Sequence, residues 1–185
     1  RVLFRSSGAK QILEQQATTS NNLANVSTNG FRAQLDTFRA IPVVGANMPT
    51  RTYVVDSTVG TDFRAGAIQQ TGRNLDVAIQ GKGWITVERA DGSEGYTRAG
   101  NLKINENGVL QTESGLNVLS DAGPITIPPD TRFTIAKDGT ISTVQAGSVP
   151  GATIQLARMK LVNPDEGNLV RGSDGLFVTK DGQPA

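Results

Sequence analysis

Ile12, Gln16, Thr19, Leu23 and Val26 recur at spacings of four and three, which places them on one narrow face of a helix. Leu13, Ala17 and Ala24 flank that face, and Ser7-Gly8-Ala9-Lys10 reads as the helix start. The run then stops abruptly. Asn25, Ser27, Thr28, Asn29 and Gly30 come next, and Asn-Gly is suited to the left-handed backbone by which a chain leaves a helix, with Phe31 placed to pack back onto the last turn. The pattern predicts an amphipathic helix and its stop over residues 7–34. A face this narrow and this polar is not stable alone, since isolated helices shorter than ~12–15 residues are marginal, and it needs a partner.

Residues 35–70 read as an extended connecting arm. Leu35 to Val44 alternates loosely and carries Pro42, while Gly45, Asn47 and Pro49 break the run. Arg51 to Thr58 suits one strand, at an edge. The arm is either an inter-subunit contact or an ordinary long linker.

From Leu75 onward short apolar runs alternate with turn dipeptides. Candidate strands are Leu75–Ile79, Trp84–Glu88, Val109–Thr112, Ile125–Ile127, Arg132–Ile135, Thr140–Thr143 and Leu156–Val162. Asp91-Gly92, Asn107-Gly108, Asp138-Gly139, Asp174-Gly175 and Asp181-Gly182 suit tight turns that need positive φ, which commits most of these aspartates to turns. The expected fold is mainly β: an irregular, Gly-rich β domain over residues 71–185, preceded by the amphipathic helix and the extended arm.

Composition narrows the chemistry. With 18 basic and 17 acidic residues the chain is near neutral and has no polyanion-binding footprint, so no nucleic-acid partner is expected. The absence of Cys and His removes thiol nucleophiles, imidazole bases, disulfides and most zinc sites, and neither a cofactor nor a metal is expected. No run of about twenty apolar residues suggests a membrane span. Gly81-Lys82-Gly83 looks like part of a dinucleotide fingerprint, but it lies between two candidate strands with no helix following and reads as a hairpin. Ser7-x-x-Lys10 matches a penicillin-binding pattern without its companion motifs, and the Asn25-Val26-Ser27 sequon falls at a helix end. Asp76, Glu88, Glu94, Glu106 and Glu113 are available for paired-carboxylate chemistry, and Asp76 inside an apolar run is either a raised-pKa acid or a carboxylate satisfied by backbone N–H groups, the latter favoured. Trp84, the single Trp, could stack on a sugar but reads better as an anchor of the β core.

Three ordered blocks carry a family resemblance. Asn21-Asn22-Leu23-Ala24-Asn25-Val26-Ser27-Thr28-Asn29-Gly30-Phe31-Arg32 comes after a helix bearing Gln11, Gln15 and Gln16; Gln69 to Trp84 forms the second block; Tyr96-Thr97-Arg98-Ala99-Gly100-Asn101-Leu102 forms the third. Together they resemble the bacterial flagellar rod and hook family, a proximal rod member more than a distal one on Gly83 to Val87, Arg98 to Asn101 and Asp174 to Phe177. The chain departs from the family pattern at Asn29, where Pro is usual.

The resemblance implies a structural subunit of the basal-body rod crossing the periplasm, with other rod subunits and copies of itself as partners, and export through the flagellar type III apparatus without a cleaved signal. It implies pairing of N- and C-terminal helices through coiled-coil-like seams. Asn22, Leu23, Asn25, Gly30 and Phe31 are the candidate assembly motif, and Ile12, Leu13 and Ala17 the candidate helix seam. Residues 1–6 do not share the helical pattern and, because they can be back-translated into a sequencing adapter, are expected to be non-native. The β-rich domain is expected to be truncated before a C-terminal helix. Two other classes stay open: a distal rod or hook subunit, distinguished by the sequence beyond Asp181, and a β-rich envelope carbohydrate-active enzyme, distinguished by activity on peptidoglycan that depends on Asp76 or Glu88.

Overall fold

The computed structural model describes residues 6–42, 52–129, 131–145 and 153–185, in two compact units, Arg1–Ala65 and Gly66–Ala185. The first unit holds helix α1 (Ser6–Ala24) and strands β1 (Gln34–Pro42) and β2 (Thr52–Thr61). α1 thus includes Ser6, the last of the residues expected to be foreign. β1 and β2 pair antiparallel from Gln34↔Thr61 to Pro42↔Thr52, with a bulge between Thr37 and Phe38. This ribbon occupies half of the segment 35–70, which was expected to be an extended arm with a single strand. Pro42 did not prevent pairing because it stands at the very end of β1, where a missing N–H costs little ladder bonding. Gly45, Asn47 and Pro49 lie outside the described residues.

The second unit is built of short strands: β3 (Trp84–Glu88), β4 (Glu94–Thr97), β5 (Leu102–Ile104), β6 (Leu110–Thr112), β7 (Leu119–Ser120), β8 (Gly123–Pro124), β9 (Thr131–Ile135), β10 (Thr140–Gln145), β11 (Ile154–Arg158), β12 (Leu161–Val162), β13 (Leu169–Arg171) and β14 (Phe177–Thr179). They form a five-stranded sheet in the order β12-β3-β4-β14-β13, a three-stranded sheet β11-β10-β9, and the hairpins β5-β6 and β7-β8. The chain is therefore mainly β with one N-terminal helix, as expected from the sequence.

One core holds this unit together. Ile85, Val87, Leu102, Leu110, Val118, Ile125, Ile127, Ile141, Met159 and Leu176 form a contiguous buried cluster, and each such side chain contributes roughly 1.5–3 kcal/mol on burial. β3 is buried on both sides: alternate side chains of a strand face opposite ways, so Ile85 and Val87 join that cluster while Trp84 and Thr86 face the other side. There, Thr86 pairs with Tyr96 and Tyr96 with Phe177, a second buried layer.

Three expected strands differ. Leu75–Ile79 makes one bridge, Asp76↔Asn101, and Ile125–Ile127 one bridge, Val109↔Thr126. Leu156–Val162 divides between β11 and β12, which belong to different sheets. Gly81-Lys82-Gly83 is consequently a bend leading into β3, since no strand immediately precedes it.

Turn chemistry obeys the dipeptides. Gly92, Gly108, Gly139, Gly175 and Gly182 all have positive φ, and each donates its N–H to the carbonyl three residues earlier, on Arg89, Asn105, Ala136, Gly172 and Thr179. This is a turn closed by a left-handed glycine.

Candidate functional site

The expected site residues all lie on α1 or just after it. Along residues 9–26 the half-buried positions are Gln11, Thr18, Asn22 and Asn25, whereas Ile12 (65%), Leu13 (64%), Leu23 (71%) and Val26 (73%) are largely exposed, as is Ala17. An ordinary surface helix turns its apolar stripe inward and its polar face outward. Here the order is inverted, and the residues expected to line a seam are brought together on the open side.

The helix stop is built by asparagine side chains. The Asn21 carbonyl accepts from the Asn25 main-chain N–H at 3.1 Å and from Asn25 Nδ2 at 2.9 Å. Asn25 Oδ1 accepts from Thr28 Oγ1 at 3.3 Å, while the Asn25 carbonyl accepts from Thr28 N–H at 2.9 Å. Terminal carbonyls that an ending helix leaves without partners are thereby satisfied. Thr28 to Phe31 then forms a turn in which Phe31 N–H bonds the Thr28 carbonyl at 3.2 Å and Gly30 takes φ 73°. Asn29 in place of Pro leaves this turn intact.

Asn22 does something its sequence position did not disclose. Its Nδ2 donates to the Gln34 carbonyl at 2.9 Å and its Oδ1 accepts from Gln34 N–H at 3.0 Å. One carboxamide thus pairs both main-chain groups of the first β1 residue, as a neighbouring strand would, and ties the helix to the ribbon.

Arg32 was not expected as a site residue, although it closes the Gly-Phe-Arg block. It is buried, and its Nη1 donates to the Arg64 carbonyl. Arg64 in turn grips Asp62 through Nη2 at 2.6 Å and Nε at 2.9 Å, and Asp62 N–H bonds the Ala33 carbonyl at 2.8 Å. Hydrogen bonds from Arg64 lower the Asp62 pKa to about 2, and the pair raises that of Arg64. The signal available in sequence was charge alternation, Asp62-x-Arg64, thirty residues from Arg32 and silent about its partner.

In the second unit the two remaining sequence blocks form a packing node. Trp84 is buried with its ring centroid 4.6 Å from that of Phe177 at an interplanar angle of 46°. Arg98 lies 5.3 Å over the Trp84 ring and donates to the Gly81 carbonyl at 2.8 Å. Gly100 approaches Val77 so closely that a Cβ there would sit 1.7 Å from the Val77 carbonyl oxygen. Trp84 is an anchor, not a sugar platform.

Three of the five carboxylates considered for acid–base chemistry make separate structural contacts. Asp76 accepts from Thr71 Oγ1 at 2.7 Å, Glu88 from Asn117 Nδ2 at 2.8 Å and Glu94 from Lys160 Nζ at 2.6 Å. Asp91, Asp138, Asp174 and Asp181 each accept the N–H two residues on. Such bonds lower the pKa of Asp91 and Asp138, foremost through the Ser93 and Thr140 side chains, and of Asp181, foremost through Gln183 N–H. A cavity of about 340 Å³ is lined by Val162, Asn163, Asp165, Asn168, Asp181 and Gln183 among others. Among the described residues there is no cluster of three metal-ligating side chains, and no helix is long and apolar enough to cross a membrane.

The candidate site is therefore an outward apolar helix face with an asparagine-built stop, in a chain whose β unit has a packing node drawn from two sequence blocks. Residues 3–32 match the family model of the flagella basal body rod protein, and residues 78–143 that of the flagellar hook protein FlgE/F/G D1 domain. The flagellar basal-body rod protein FlgF of Salmonella typhimurium is 48% identical over 169 residues, covering 91% of this chain and 67% of that protein, and FlgF of Escherichia coli matches equally. FlgG of Bacillus subtilis is 35% identical over 156 residues, 76% of this chain and 59% of that protein. The chain belongs to the flagellar basal-body rod protein family. Within that family it is FlgF-like, a structural rod subunit of the basal body.

Proposed function

We propose that this rod subunit works mechanically, at the proximal rod, by laying the open face of α1 against helices of neighbouring rod subunits and of further copies of itself. Many copies joined by heterologous contacts make a helical array, and torque passes along it without turnover. The observation that carries the reading is the inversion of α1, with Ile12, Leu13, Leu23 and Val26 outward and Asn22 inward. Burying each apolar side chain at a subunit contact contributes roughly 1.5–3 kcal/mol. Asn22, Asn25, Gly30 and Phe31 set where that helix ends, and so the length of seam offered. Ala17 is small enough to let a partner helix approach. Export through the flagellar type III apparatus brings the chain to the rod.

A distal-rod role is the second reading, and the FlgG likeness, 35% identical over 76% of the chain, supports it less than the 48% FlgF likeness over 91% supports the first. The test is Leu23→Asp in the intact gene of a strain deleted for it. The expected outcome is a folded β unit, judged by Trp84 fluorescence, with the subunit absent from purified basal bodies and swimming lost. Normal swimming would refute the seam.

A further inference from the structure

The chain has two Asn-Gly pairs, Asn29-Gly30 and Asn107-Gly108, and the fold treats their glycine nitrogens oppositely. In the turn Thr28 to Phe31 the closing bond is Phe31 N–H to the Thr28 carbonyl, so Asn29 and Gly30 are the two central residues. Gly30 N–H makes no hydrogen bond among the described residues, and both residues are exposed. In the turn Asn105 to Gly108 the closing bond is Gly108 N–H itself, to the Asn105 carbonyl at 2.9 Å. That turn is further locked by Asn105 Oδ1, which accepts from Asn107 N–H at 3.0 Å and from Val109 N–H at 2.8 Å, and by Ile127 N–H to the Gly108 carbonyl at 2.8 Å.

We propose that Asn29 is a site of spontaneous deamidation to aspartate and isoaspartate, and that Asn107 is protected from it by its turn. The Gly30 main-chain nitrogen attacks the Asn29 side-chain carbonyl carbon. The new C–N bond closes a five-membered succinimide, the bond to the side-chain nitrogen breaks, and ammonia leaves carrying the proton lost from Gly30. Water then opens the ring at either carbonyl, giving aspartate or an isoaspartate whose main chain runs through Cβ. At Asn107 the same nitrogen must first give up its bond to Asn105 and leave a turn held at both ends. Isoaspartate at 29 adds a main-chain atom three residues before Arg32, displacing the guanidinium that bonds the Arg64 carbonyl. It also places a negative charge at the helix stop.

The test is to incubate the folded chain in mildly alkaline buffer, follow the peptides containing Asn29 and Asn107 by mass, and count isoaspartate with a methyltransferase label. Asn29 converts roughly fivefold faster than Asn107 in the folded chain, the factor carried by one net backbone hydrogen bond. In urea, where both turns are lost, the two rates converge. Equal rates in the folded chain, or a faster Asn107, would overturn the assignment. A difference that persists undiminished in urea would also overturn it, by tracing the effect to flanking sequence and not to the turns. An Asn29→Pro chain, which has no side-chain amide to lose at that position, must show no isoaspartate at position 29.

Discussion

Gly100→Ala is the substitution whose cost emerges most directly from the structure. A Cβ at this buried position would lie 1.7 Å from the Val77 carbonyl oxygen and 2.8 Å from its carbon. The obstacle is backbone, so no rotamer change relieves it, and residues 75–77 must move by more than an ångström. That movement breaks Val77 N–H to the Gly100 carbonyl at 2.9 Å and weakens Leu102 N–H to the Leu75 carbonyl at 3.3 Å. Two such bonds contribute about 0.5–1.5 kcal/mol each. Leu75 and Val77, packed against the core cluster, lose contact as well, at about 0.8 kcal/mol per methylene exposed. The total is about 3–4 kcal/mol of the second unit's stability. Urea unfolding followed by Trp84 fluorescence reads it without interference, because the chain has 1 Trp and it is 3% exposed. With a slope of roughly 1–3 kcal/mol per molar, the midpoint falls by about 2 M. Two glycines calibrate the result. Gly66 has open space and no positive φ, so Gly66→Ala leaves the midpoint unchanged; Gly115 has open space but φ +88°, so Gly115→Ala shows only the left-handed penalty of roughly 1–2 kcal/mol. A Gly100→Ala stability within about 0.5 kcal/mol of the parent, or a Gly115→Ala chain weaker than Gly100→Ala, would refute the close-approach reasoning.

Other consequences are local. Asn22→Ala strands both main-chain groups of Gln34 and destabilises the junction of α1 and β1 by about 1–2 kcal/mol, read as roughly tenfold faster hydrogen exchange at the Gln34 amide; unchanged protection would contradict the strand-like role of the carboxamide. The Asp62 clamp is acid-sensitive in a defined direction. Its folded pKa, about 2, lies below the ordinary 3.8, so its contribution is complete above pH 3.8 and is lost as the pH falls through 2. An NMR titration of the Asp62 carboxyl with a midpoint near 3.8 would show that Arg64 does not hold it.

The helix was legible in the sequence because its periodicity and its stop agree: Leu23 and Val26 continue the spacing set by Ile12, and Gly30 takes the positive φ that its position required. Turns were legible for the same reason, since Asp-Gly and Asn-Gly carry their geometry locally. What failed is non-local. Leu75–Ile79 has strand-like composition, but its main chain pairs with residues 100–102 only through Val77 N–H to the Gly100 carbonyl and Leu102 N–H to the Leu75 carbonyl, one isolated bridge and no ladder. Leu156–Val162 reads as one apolar run, yet Met159 at its centre bridges to Ser120 and the chain changes sheets there. The pairing of β1 with β2 was hidden because cross-strand register is not written in either strand alone. Of the candidate assembly residues, Ile12 and Leu23 were chosen by period, Leu13 and Ala17 as their flanks, and Phe31 from the motif. Asn22 was chosen from the motif without its partner, and Arg32 was missed because the groups that receive it are thirty residues away.

The chain has no cysteine, so Leu23→Cys supplies a unique thiol at the C-terminal end of the outward face, on a residue that is 71% exposed. Maleimide labelling should be compared between the free subunit and purified basal bodies. If α1 joins rod subunits through this face, the thiol reacts readily in the free chain and is protected in the assembled rod. Equal reactivity in both would place the face in solvent and contradict the assembly role of α1.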